Sequence, residues 1–92
     1  MDETRIVWND YMRYRLRLRG FDLATIEQIV RYSGERYRDT VTGRLVAVGR
    51  HDERLIVIPY ECSEEALIPV TVHVTSRQQI NFRVRSGRFA NE

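Results

Sequence analysis

The 92 residues predict an α+β fold: two N-terminal helices packed on a four-stranded antiparallel meander sheet, followed by a short C-terminal helix. Three observations carry this. Capping residues precede each helical stretch, the apolar period changes from 3.6 to 2 after Gly34, and turn residues separate the apolar runs that follow. A chain of this length makes one domain, and 42% apolar with 30% charged residues is the balance of a folded globule. Residues 1–8 and 88–92 are expected as flexible ends of the single domain 1–92.

The elements follow in order. Asn9 or Asp10 caps a helix to about Arg19, with Met12 and Leu16 on its inner side and Gly20 as its stop. Asp22 caps a second helix ending near Tyr32; Phe21 before the cap and Ile26 after it have the spacing of a hydrophobic staple. Glu35–Thr40 and Arg44–Arg50 read as strands joined at Thr42 and Gly43, and Arg54–Glu61 as a third after the turn His51, Asp52, Glu53. An acidic loop spans residues 62–68. Pro69–Thr75 is the fourth strand, with Val70, Val72 and Val74 on one face and Thr71, His73 and Thr75 on the other. Thr75 or Ser76 caps a helix from about Arg77 to Arg85, although Ile80, Phe82 and Val84 also alternate as a strand does. Trp8, Tyr32, Tyr37, Phe82 and Phe89, near element ends, are expected as core plugs first.

All fifteen basic residues are arginine, which removes Schiff-base chemistry and a lysine-bearing phosphate loop. Codon bias accounts for such a count, but a surface whose only permanent cations are planar guanidinium forks suits phosphate and nucleobases. The net charge of +2 hides an uneven layout. Residues 5–38 hold eight arginines against four acids, residues 52–65 hold one against five, and residues 70–90 hold four and no acid. Such a dipolar molecule steers polyanions to one face and offers another to a different partner.

Cys62 is alone and clear of any Cys/His cluster, so neither a disulfide nor a zinc site is expected. The longest apolar run, Leu55–Tyr60, is too short to span a bilayer, and the first residues lack an apolar leader; a cytoplasmic protein without a membrane partner is expected. Glu61, Glu64 and Glu65 lack metal-ligand spacing, so no metal and no cofactor are predicted.

The order of helices and strands, the arginine-rich run Arg13–Phe21, the strand Gly43–Arg50 and the transition Thr71–Gln79 resemble the BrnT-like branch of the RelE toxin superfamily. The resemblance covers roughly residues 10–85. It implies a type II toxin that cuts mRNA and is silenced by a small antitoxin protein. No catalytic residue is carried over from it, because sites differ between branches and this chain has no lysine to contribute.

The residues themselves offer a set for metal-independent RNA cleavage, which needs a base at the 2′-oxygen, an acid at the leaving oxygen and cations on the phosphate. His73 is the candidate acid/base, Arg77 and Arg83 hold the phosphate, and Glu61 or Tyr60 completes the pair. A His73 satisfied by threonine hydroxyls is the structural alternative, and His51 is the rival histidine in a polar turn. On a helix Arg13 pairs with Arg17 and Arg15 with Arg19, so only one pair faces a given partner. With Tyr11 and Tyr14 such a pair suits RNA binding, and Arg13 and Arg17 are the pair assigned to it, with Arg44, Arg50, Arg83 and Arg85 and an extension over Arg36 and Arg38; solvated flanks and guarded strand edges explain the same residues. The expectations are therefore a ribonuclease toxin with RNA and an antitoxin as partners, a non-catalytic nucleic-acid-binding module, or a protein-interaction module.

Overall fold

A computed structural model describes residues 4–92; the first part of the expected flexible N-terminal end, residues 1–3, lies outside the described residues. Helix α1 (Asp10–Arg19) starts where the Asn9 side chain accepts the Met12 N–H at 2.7 Å, and it stops at Gly20, whose φ of 71° suits glycine. Asp22 caps α2 (Leu23–Tyr32) by accepting the Thr25 N–H. Met12, Leu16, Phe21, Ile26, Ile29 and Val30 form one buried group, so the staple pair Phe21 and Ile26 is part of the core.

The described residues form an α+β architecture, with three helices and a mixed, open seven-stranded sheet. β2 (Glu35–Asp39), β3 (Leu45–His51) and β4 (Arg54–Cys62) form the antiparallel meander, continued by β5 (Ala66–Pro69). Three short strands extend it. β1 (Arg5–Ile6) runs parallel to β5, β6 (His73–Thr75) pairs with β4 beyond the end of β5, and β7 (Phe89–Asn91) pairs with β2. The four-stranded meander is thus only the centre of the sheet. Residues 88–92 are not a free end: Arg88 binds Asp39 through both carboxylate oxygens at 3.0 Å, and β7 continues the sheet.

The strand expected over Pro69–Thr75 is broken by a bulge. Tyr60 lies opposite Pro69 and Val57 opposite His73, so three residues, Val70 to Val72, face only Ile58 and Pro59. Pro59 explains it: its carbonyl accepts the Val70 N–H at 2.8 Å, but on that same side it has no N–H to return. Without the bulge, Thr71 would share the face of Pro69. With it, Val72 is fully buried against α1 and α2, while His73 shares the opposite face with Val57.

The sheet therefore separates two cores. Ala47, Ile56, Ile58, Tyr60 and Val72 pack against α1 and α2, whereas Val48, Leu55 and Val57 pack with Tyr37 under Ile80 of α3 (Arg77–Arg85). The helices occupy both faces rather than one. Gly49 lets α2 lie close, since a Cβ there would stand 2.7 Å from the Ile29 side chain. His51 also belongs to the frame: it is buried, its Nε2 accepts the Asp22 N–H at 2.8 Å, and its ring meets Phe21 edge-on. The expected polar turn forms and Asp52 and Glu53 are exposed in it, but His51 itself is a buried contact between β3 and the start of α2. Among the aromatics expected as plugs, Phe89 is buried, Trp8 and Tyr37 pack partly buried, and Tyr32 and Phe82 are exposed.

Candidate phosphate site at the sheet edge

His73 stands at the first position of edge strand β6, on the face shared with α3. Arg15 crosses from α1: its Nε donates to the Val72 carbonyl at 3.2 Å, and its Nη2 lies 3.3 Å from His73 Nδ1. A guanidinium can only donate, so Nδ1 accepts, and a neutral His73 must carry its proton on Nε2. Desolvation, and then the charges of Arg15, Arg19 and Arg83, hold the imidazole below the ordinary histidine range. The ring therefore offers an N–H donor beside three permanent cations drawn from α1 and α3.

No carboxylate among the described residues lies in this cluster. Arg15, Arg19 and Arg83 form no ion pair among those residues; Arg83 instead lies over the Phe89 ring, 5.4 Å from its centre. Elsewhere four acids are taken up by other arginines. Glu27 holds Arg31, Glu61 holds Arg44, Glu35 holds Arg77 and Asp39 holds Arg88.

Two of the three predicted catalytic residues are placed otherwise. Arg77 is bound by both oxygens of Glu35, at 2.6 and 3.0 Å, and the Tyr37 hydroxyl donates to the same carboxylate at 2.7 Å. It pins the first turn of α3 to β2 and does not reach His73. The hydrogen bond from Arg77, which outweighs burial, keeps the Glu35 carboxyl below its usual range. Glu61 lies opposite Ile68, four residues along β4 from the partner of His73, about 13 Å at strand rise. Tyr60 points to the other face, where its hydroxyl accepts from Arg36 at 2.9 Å. His73 is left without the acidic partner assigned to it.

The predicted RNA-binding arginines divide in the same way. Arg83 belongs to the cluster. Arg44 is paired with Glu61; Arg50 is exposed and donates to the Glu53 carbonyl; Arg85 is exposed on α3. Arg13 and Arg17 lie on the flank of α1 away from β6, so the pair at the site is Arg15 and Arg19. Between the two flanks Tyr11, Tyr14 and Leu18 form an exposed stripe. Arg36 is not a surface cation: it donates to Tyr60, Ser33 and Val30, closing the C-terminal end of α2.

No group of three or more His, Cys, Asp or Glu side chains suited to a metal occurs among the described residues, and none of their helices is long and apolar enough to cross a membrane. No family profile, curated protein or solved structure matches the chain. Function therefore rests on the chemistry of the site itself.

Proposed function

We propose that the protein binds the phosphate backbone of single-stranded RNA at the β6 edge. The observation that carries this is the contact of Arg15 with His73 and the placing of Arg83 in the same cleft, with the charge of Arg19 also felt by the ring and no carboxylate paired with any of the three among the described residues. Like charges are costly to hold together unless something anionic meets them, and guanidinium groups with an imidazole N–H match phosphate oxygens in geometry and charge. The exposed Tyr11 and Tyr14 beside them supply stacking faces for bases.

Fluorescence anisotropy with a short oligoribonucleotide across a salt series tests it. For a single strand, every phosphate that the protein neutralises steepens the line of log K against log[salt] by about 0.7. Arg15→Ala/Arg83→Ala should weaken binding at least about tenfold and flatten the slope by roughly 1.4 if each side chain contacts one phosphate. A wild-type line without slope would sink the proposal.

A second reading, favoured by His73 being held neutral among cations, is metal-independent RNA cleavage by a type II toxin, restrained by a small acidic antitoxin. As a base, His73 would have to recover Nδ1 from Arg15, and it would need a second proton carrier. The check is expression without any partner protein. Growth arrest with broken mRNA, absent in His73→Ala, supports the reading; normal growth with intact mRNA removes it.

A further inference from the structure

The bulge opens a cleft of about 450 Å³ between α3 and the β3/β4 part of the sheet. Two members of the phosphate cluster, His73 and Arg83, also line this cleft. Its floor is uncharged, made by Val46, Val57 and Pro59. Its only carboxylate among the described residues, Asp39, is consumed by Arg88 and the Val41 and Thr42 amides. Polar groups stand on the walls. Gln79 takes the Thr75 hydroxyl on its Oε1 at 3.0 Å, and its amide N–H groups donate to none of the described residues. Thr71, at the centre of the bulge, has a buried hydroxyl with no partner among those residues.

The fitting ligand has an anionic end for the cluster and a planar, uncharged, hydrogen-bonding end for the cleft. An inorganic anion leaves the cleft empty, and a simple hydrocarbon leaves its donors unanswered. We infer that the cleft receives the base of one nucleotide whose phosphate sits at His73, Arg15 and Arg83. This rests on the phosphate reading above and adds a base-binding subsite to it. Gln79 presents donors to a carbonyl or ring nitrogen on the base edge, and the base lies on the Val57–Pro59 floor.

The test is an NMR titration of the full chain with 5′-AMP, 5′-UMP, ribose 5-phosphate and inorganic phosphate. At least one nucleotide should bind about tenfold or more tightly than ribose 5-phosphate, with shifts at Gln79 and Thr75. Thr75→Trp fills the cleft from an edge strand that accepts aromatic residues, so it should erase the nucleotide preference and leave ribose 5-phosphate binding unchanged. Gln79→Leu, at an exposed helical position, should lower nucleotide affinity about threefold or more without moving the ribose 5-phosphate value. If nucleotides and ribose 5-phosphate bind wild type equally, or if Thr75→Trp keeps the preference, the base subsite is wrong while the phosphate site stands. If none of the four probes binds, both fall.

Discussion

The two edges of the sheet use the same residue type for opposite ends. Around β2 and β7 three arginines are consumed internally: Arg77 by Glu35, Arg88 by Asp39, and Arg36 by the last carbonyls of α2 and the Tyr60 hydroxyl. Around β6, Arg15 touches a histidine, Arg83 shares its cleft and Arg19 adds its charge, with no acid paired to any of them among the described residues. The first set holds elements in place; the second leaves a field for an anion. Counting arginines therefore says little, and finding where the thirteen acids sit says much more.

This contrast breaks first, and hardest, at Arg36. Replacing it with alanine strands the Tyr60 hydroxyl and the end of α2, at a cost of about 3 kcal/mol and roughly 10–20 °C in Tm for a domain of this size. RNA binding at a temperature where the variant stays folded should be unchanged. Thermal unfolding followed by circular dichroism measures the first, and anisotropy the second. A silent Arg36→Ala would mean that the arginines of this edge do not hold its elements in place.

Asp39 comes next. Burial pushes its carboxyl up, but Arg88 and the Val41 and Thr42 amides outweigh this and leave it below the usual range. Glu35 is also lowered. A lowered carboxyl adds stability that is fully present above its unfolded pKa of about 4 and is lost as pH falls through the folded value. The contribution of these two carboxylates should therefore be level above about pH 5 and fall below about pH 4, and Asp39→Ala should remove about 2 kcal/mol at neutral pH and shrink that acid-side fall. Urea melts at several pH values check both.

How far the sequence discloses these edges depends on whether the signal is local. Caps at Asn9, Asp22 and Ser76, the stop at Gly20 and the meander strands are written within a few neighbouring residues, and they form near their expected positions. β1 and β7 are too short to have a period, and their partners lie far along the chain. The bulge did have a local sign in Pro59, a proline inside a strand pattern. Arg77 looks like a neighbour of His73 in sequence, yet the first turn of α3 carries it to Glu35 instead. For α1, the helical period separates Arg13 and Arg17 from Arg15 and Arg19, but only the way the helix is laid on the sheet decides which pair meets β6.

That choice of flank gives a smaller and sharper comparison. Arg15→Ala/Arg19→Ala and Arg13→Ala/Arg17→Ala remove the same charge from the same helix, so a purely long-range field treats them alike. A site at β6 does not. The first pair should cost about tenfold in RNA affinity and the second about threefold or less, measured at one fixed ionic strength because the gap narrows as salt rises. Equal losses would point to a diffuse basic surface in place of a site.

The smallest effect isolates His73 from its cations. Its lowered pKa means that the folded protein keeps the ring neutral at pH 7, and protonation begins only below the ordinary histidine range, about 6.5. Two signs follow. For folding, the unfolded chain takes up the proton first, so His73 costs stability as pH falls through about 6.5 and the cost levels off below the folded pKa. For binding, a phosphate at the cluster favours the charged ring, so affinity should rise, by roughly threefold, as pH falls through the range in which the ring takes up its proton. His73→Gln keeps a neutral donor and should hold wild-type affinity at pH 7.5 while losing the rise. A rise that survives in His73→Gln would assign it to another group and leave His73 only its N–H contact with the anion.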